Sequence, residues 1–375
     1  MLGGRRGHVA AVNWLTKKLK CEINVLESVH DVKWLHNETM FSVAQKSFVY
    51  IYDSQGTEIH CIRQLYNVLR MEFLPYHFLL ACSTESGHLA WLDVSMGQLV
   101  SKFHARQGRL PHMTYNPYNA TLLLGHSTVW SPMVREPLAK LLCQKTAIQA
   151  IHVDPSGRYL VTSAMDRSVN IWDVRAMKPL QSYRMRGVPS SIQLSQRGCL
   201  ATATGNVVEV NNYPYSDDAA YLRFCGNQGS ATHLQFCPYE DVLGVAMERG
   251  FASLVVPGSG EPNFDSLEPN PMSTTGQRRE GEVKALLEKI QPELITLEPL
   301  DVAEVDVPSL HEKIEAQKQL MSLKVPKVNF TPRRNNKKGG GLREFTELKT
   351  QQKKESSLLA PEISSEPEPP KGPSL

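Results

Sequence analysis

No stretch of this chain is apolar for long enough to cross a bilayer as a helix, which takes about 20 consecutive residues. The Gly/Arg-rich start, residues 1–8, has no apolar core of the kind that directs secretion. Cysteine is sparse and scattered. Cys21, Cys61, Cys82, Cys143, Cys199, Cys225 and Cys237 are odd in number and mostly sit inside apolar runs. They read as reduced core residues of an intracellular protein, not as a disulfide framework. No close Cys/His spacing suggests zinc. Asn37-Glu38-Thr39 and Asn119-Ala120-Thr121 match the glycosylation pattern, but without a secretory route the match is coincidence. Strong charge is also lacking, the net being +3 over 375 residues.

Catalytic patterns are equally thin. Gly258-Ser259-Gly260 is not followed by the Lys-Ser/Thr pair of a phosphate loop, and there is no nucleophile elbow. His30, His60, His104 and His152 fall in separate segments. Asp217-Asp218 lies in a polar loop with no apolar shelter to raise a carboxyl pKa. We therefore expect no enzyme, no cofactor, no small-molecule substrate and no membrane partner.

What the chain does contain is a repeat of about 40 residues. An apolar–x–apolar step leads into a turn former in Met71-Glu72-Phe73-Leu74-Pro75, Met113-Thr114-Tyr115-Asn116-Pro117, Ile151-His152-Val153-Asp154-Pro155 and Leu234-Gln235-Phe236-Cys237-Pro238. Weaker copies are Val32-Lys33-Trp34 and Ile192-Gln193-Leu194. A second apolar run follows each step, and in most copies a third ends on an acid, as in Tyr52-Asp53, Leu92-Asp93 and Trp172-Asp173. The runs are four to six residues long, alternate with polar residues and are separated by turns such as Asp154-Pro155-Ser156-Gly157. Short strands at this period predict an all-β propeller, because one such sheet cannot bury both faces until others pack radially against it.

Residues 158–175, from Arg158-Tyr159-Leu160 through Asp166 to Trp172-Asp173-Val174-Arg175, resemble the second half of a WD repeat. Residues 9–14 and 21–26 align with strands c and d of a first blade whose a and b strands would precede Met1. With six further units this predicts about seven blades, the first incomplete. From the second run to the end of the third, residues 122–131 are about four residues shorter than residues 80–93 or 160–173. That is enough to remove a hairpin turn, and this blade is expected to pair poorly.

The repeats end near residue 256. Domain boundaries are expected at 1–256 for the propeller, 257–325 for a helical segment and 326–375 for a disordered tail. Val283, Leu286, Leu287 and Ile290 fall at i, i+3, i+4 and i+7 of an amphipathic helix that Pro292 ends. Ser309-Leu310-His311-Glu312 is a capping-box pattern that predicts a second helix to about residue 323. Arg333, Arg334, Lys337, Lys338 and Arg343 form a basic stretch suited to phosphate contacts with RNA or to nuclear import. Residues 355–375 are rich in Pro, Glu and Ser and read as disordered.

The string Gly258-Ser259-Gly260-Glu261-Pro262-Asn263-Phe264-Asp265, with Asn270-Pro271, Gln277-Arg278 and residues 282–295, closely resembles the C-terminal domain that defines the BING-four family of WD-repeat proteins. The likeness covers roughly residues 7–299. It implies a non-catalytic subunit of the nucleolar small-subunit processome, acting in early small-subunit ribosomal RNA maturation. The partners it implies are processome proteins, the U-three small nucleolar RNA and pre-ribosomal RNA. Family members carry a long N-terminal extension not seen here, and Gly281 stands where the family has a larger residue. Docking on partners is expected through Val283, Leu286, Leu287 and Ile290. A second reading is a substrate receptor of a cullin-RING ubiquitin ligase. Asp166, Trp172, Asp173 and Arg175 resemble the motif by which some propellers dock on the ligase adaptor.

Overall fold

In the computed structural model, residues 1–13, 16–212, 220–263, 273–295, 314–315, 347–351 and 353–354 are described. Each apolar run of the repeat forms one strand, and consecutive strands pair antiparallel into seven sheets. These are the blades of a β-propeller. Blades 2 to 6 (residues 29–66, 68–104, 113–140, 148–184 and 189–225) have four strands each, a to d in chain order. Blade 1 (residues 2–24) and blade 7 (residues 231–255) have three.

The alternation in sequence becomes two buried faces per blade. Six apolar clusters fill the seams between successive blades. Phe41, Val43 and Val9 lie between blades 1 and 2, and Met71, Leu80 and Val49 between blades 2 and 3. Trp91, Leu79 and Leu122 lie between blades 3 and 4, and Leu123, Val129 and Leu160 between blades 4 and 5. Val169, Ile192 and Leu200 follow between blades 5 and 6, then Val208, Leu234 and Val245 between blades 6 and 7. Among the described residues no such cluster joins blade 7 to blade 1. The last strand of blade 7, Gly250–Val255, has an unpaired outer edge there, with Phe251 and Val255 exposed.

A bulge recurs near the start of strand a in blades 2, 3, 5, 6 and 7, for example between Val29 and Asp31 and between Val68 and Arg70. Such a bulge re-aims the next side chains, and several reach the neighbouring blade. Asp31 Oδ2 accepts from the Met71 N–H at 2.9 Å, Gln193 Oε1 from Phe236 N–H at 2.5 Å and His152 Nδ1 from Leu194 N–H at 3.3 Å. Burial, helped by Lys33 and His233, lowers His152 to about 3, so the ring is neutral and able to accept. Lys33 Nζ meets Glu72 Oε2 at 2.6 Å across adjacent inner strands.

Two expectations need correction. The b strand of blade 1 does not precede Met1: it is Leu2–Gly3, paired with His8–Val12 through Leu2↔Ala10. The short blade 4 has not lost its hairpin turn. Leu122–Leu124 and Thr128–Trp130 pair in register around Gly125–His126–Ser127, and the missing residues come out of the strands. Ser127 closes this three-residue loop in the left-handed region, at a φ of 57 that costs a non-glycine residue about 1–2 kcal/mol, and its N–H bonds Leu124 O at 2.8 Å. All four strands of this blade are paired.

The compact unit holding the propeller runs from Met1 to Val305 and includes helix α1, Thr275–Glu288. Asp306–Leu375 forms a second unit, in which residues 314–315, 347–351 and 353–354 are helical. Apart from Ile314 and Glu315, the second helix expected near residues 309–323 lies outside the described residues, as does Asp217-Asp218. All seven cysteines are free; Cys21, Cys82, Cys143 and Cys199 are buried and Cys225 is exposed.

Candidate partner-binding surface

The segment after blade 7 is fixed to the turns at one end of the propeller. Tyr221 Oη donates to Pro257 O at 3.3 Å, and Ser259 is 1% exposed. Gly260 N–H donates to Asp241 Oδ1 at 2.8 Å. Backbone hydrogen bonds from Gly260, then Gly258 and Ser259, hold the Asp241 carboxyl below its ordinary pKa. A Cβ on Gly260 would lie 2.7 Å from the Glu240 backbone, so only glycine permits this approach. The motif read as a family signature is therefore a close-packed strap.

α1 begins with a capping box. Thr274 Oγ1 accepts from Gln277 N–H, and the Gln277 side chain accepts from Thr274 N–H at 3.0 Å. Its inward stripe is mostly polar. Arg278 pairs with Glu38, and Glu282 binds His36 Nε2 at 2.9 Å and Asn37 Nδ2 at 3.3 Å. Ala285 packs against the seam of blades 2 and 3. Just past the helix, Lys289 Nζ reaches Asp93 Oδ2 at 2.8 Å and Ser95 Oγ at 2.6 Å. Ile290 N–H donates to Tyr76 O, and Ile295 enters the core between blades 3 and 4.

This orientation turns part of the apolar stripe outward. Leu287 is 81% and Val283 57% exposed, Leu286 sits at the margin, and Ile290 is half-buried beyond the helix end. The structure brings Val283, Leu286 and Leu287 onto one helix but separates Ile290 from them. Glu282 and Lys289, which do the anchoring, are missed by periodicity, because their partners are almost 250 and 200 residues away in sequence. Gly281 lies mid-helix with open space where a Cβ would go. Gly281→Ala should stabilise α1 by about 1 kcal/mol, read as slower amide exchange in α1; unchanged exchange would show that helix propensity does not limit it.

In blade 5, Asp166 sits in the turn before strand c (Ser168–Asp173), whereas Trp172, Asp173 and Arg175 lie at that strand's far end. Asp166 accepts from Ser168 N–H at 3.1 Å. Asp173 Oδ1 accepts from Arg175 N–H at 2.9 Å, and the Arg175 guanidinium lies 5.4 Å over the Tyr118 ring. Asp166 is thus not gathered with the other three. Arg333, Arg334, Lys337, Lys338 and Arg343 lie outside the described residues. Among the described residues no three His, Cys, Asp or Glu side chains gather to hold a metal ion, and no helix is long and apolar enough to cross a membrane.

The chain is a WD-repeat propeller protein whose BING4CT domain takes in the last blade as well as the strap. Residues 135–173 match the WD domain, G-beta repeat, and residues 220–298 match the BING4CT (NUC141) domain. The chain is 50% identical over 322 residues to WD repeat-containing protein 46 of Mus musculus and 49% identical over 320 residues to that of Homo sapiens. Each alignment takes in 83% of this chain and 52% of the relative, so the chain spans about half the length of these two proteins. It is 38% identical to U3 small nucleolar RNA-associated protein 7 of Saccharomyces cerevisiae over 94% of this chain and 69% of that one. It belongs to the family of WD-repeat proteins that these relatives represent. A chain from a crystal structure of the mitotic checkpoint complex shares the fold, with a TM-score of 0.58 at 16% identity over 67% of this chain and 82% of that one.

Proposed function

We propose that this chain is a non-catalytic scaffold subunit of the small-subunit processome, acting in early processing of small-subunit ribosomal RNA in the nucleolus. The observation that carries the reading is the match to U3 small nucleolar RNA-associated protein 7 across the propeller and strap together. The strap spends its polar groups on holding α1 against the blades. In this reading residues 1–256 are the docking body, residues 257–325 carry the partner-facing helix, and residues 326–375 reach RNA. Val283, Leu286, Leu287 and Ile290 are the proposed docking residues. Arg333, Arg334, Lys337, Lys338 and Arg343 are the proposed tail contacts to U3 small nucleolar RNA or pre-ribosomal RNA.

The test is sucrose-gradient sedimentation of nuclear extract containing the tagged chain, with and without ribonuclease. Co-migration with large pre-ribosomal particles that is lost on digestion is the expected result. Migration as free protein in both samples would reject the assignment for this chain.

A further inference from the structure

The two ends of the propeller differ in use and in charge. In a meander of four strands, the b–c turns and the d–a links between blades lie at one end, and the a–b and c–d turns at the other. Hydrogen bonds between b–c turns and neighbouring d–a links confirm the placement: Glu85 N–H donates to Asn67 O, Met165 N–H to Ala147 O and Arg249 N–H to Gln228 O. The strap and α1 occupy the a–b/c–d end, through His36, Tyr76, Asp93 and Asp241. None of their contacts described above falls on the b–c/d–a end.

The b–c/d–a end is basic. Its b–c turns carry exposed Arg5, Arg6, Lys46, Arg167 and Arg249. Its d–a links add exposed Arg106, Arg109, Lys145 and Arg186. Of these, Arg109 stands 3.7 Å from Glu85; the others are in no ion pair shown among the described residues. The carboxylates here are fewer and are engaged locally: Glu27 accepts from Ser47, Asp166 from Ser168, and Glu248 from Ser230 at 2.6 Å. At the opposite end Asp53, Asp93, Asp154, Asp173, Glu240 and Asp241 at least balance the cations.

The positive charge is densest at blade 5. Arg184 ends strand d (Lys178–Arg184) directly across from Ser168, Arg186 follows two residues later, and Arg167 Nη1 donates to Arg186 O at 3.4 Å. Beside them is an open recess of about 500 Å³ lined by Asp166, Ser168, Ser182, Tyr183 and Arg184. The guanidinium groups supply the donors that phosphate oxygens accept from.

We propose that the b–c/d–a end of the propeller binds the phosphate backbone of RNA, with Arg167, Arg184 and Arg186 at its centre. The proposal deepens the processome reading by giving the propeller itself an RNA surface separate from the tail. The cations follow an arc of turns instead of ringing an aromatic anchor, which suits a polyanion of regularly spaced charges better than the compact apolar centre of a protein interface.

The experiment is fluorescence anisotropy of labelled single-stranded RNA of mixed sequence, titrated with the full chain over a range of salt. The chain carries Arg333→Gln, Arg334→Gln, Lys337→Gln and Lys338→Gln throughout, so the tail contributes little. Adding Arg167→Gln, Arg184→Gln and Arg186→Gln should weaken binding and make the plot of log K against log salt shallower by roughly 0.7 per arginine lost. The Arg→Lys triple should keep the slope, since phosphate contacts read charge. An unchanged slope in the glutamine triple, with an unchanged thermal melt, would overturn the proposal. So would polyglutamate binding that depends on the three arginines while RNA binding does not. A chain that binds RNA this way yet sediments as free protein would reject the processome reading and leave this one standing; the converse result would do the opposite.

Discussion

Lys289→Met should destabilise the protein by about 3 kcal/mol and release α1 from the propeller. Asp93 is 1% exposed, and Lys289 is the cation that compensates it, at 2.8 Å. Removing one partner of a buried pair leaves an uncompensated charge, which costs about 3–5 kcal/mol. The lower figure fits because Ser95 still donates to Asp93 Oδ1 from its N–H at 2.9 Å and its hydroxyl at 2.7 Å. Adding Asp93→Asn should restore much of the loss, since the remaining group is then neutral. The readouts are urea midpoints for the single and double variants and amide exchange in α1. Equal midpoints for wild type and Lys289→Met, with α1 still protected, would show that the pair does not hold the strap.

The same pair fixes a pH dependence. Burial raises the Asp93 carboxyl, but hydrogen bonds from Lys289 and Ser95 outweigh it, and the net shift is downward. A depressed folded-state pKa contributes stability that is fully present above the unfolded value of about 3.9. That contribution is lost as pH falls through the folded value. The gap between wild type and Lys289→Met should therefore be constant near neutrality and close in acid below about pH 4.

Trp91→Ala should cost about 3–5 kcal/mol, the range for a large aromatic removed from a core. Trp91 is fully buried between blades 3 and 4, among Leu74, Leu89, Leu122 and Trp130. Ile295 of the strap shares that cluster, so the cavity would also loosen the C-terminal segment. Trp91→Phe should lose much less, because the indole Nε1 has no hydrogen-bond partner and only volume is removed. Thermal denaturation separates the two. A phenylalanine variant as unstable as the alanine one would mean that the N–H has a partner after all.

Local pattern was enough for the blades. Alternation with period two and turns such as Asp154-Pro155-Ser156-Gly157 act within a few residues, so the strand runs and the acids ending strand c at Asp53, Asp93 and Asp173 were legible. Strand Leu2–Gly3 was not, since two residues carry no period and its pairing is set by His8–Val12. The short span of blade 4 points to a missing turn only because a length difference does not say whether strand or turn has shrunk.

Residue patterns along the chain are enough for a ring of short-stranded sheets, an amphipathic helix after it and the family signature between them. Tertiary structure alone decided which side of α1 faces inward. The choice rests on His36, Glu38 and Asp93, polar groups far away along the chain, whose pairing with Glu282, Arg278 and Lys289 turns Val283 and Leu287 toward solvent. It also decided that the cations of alternate turns meet at one end. Neighbouring turns along the chain lie at opposite ends of a blade, so the mild average charge of the sequence conceals the separation.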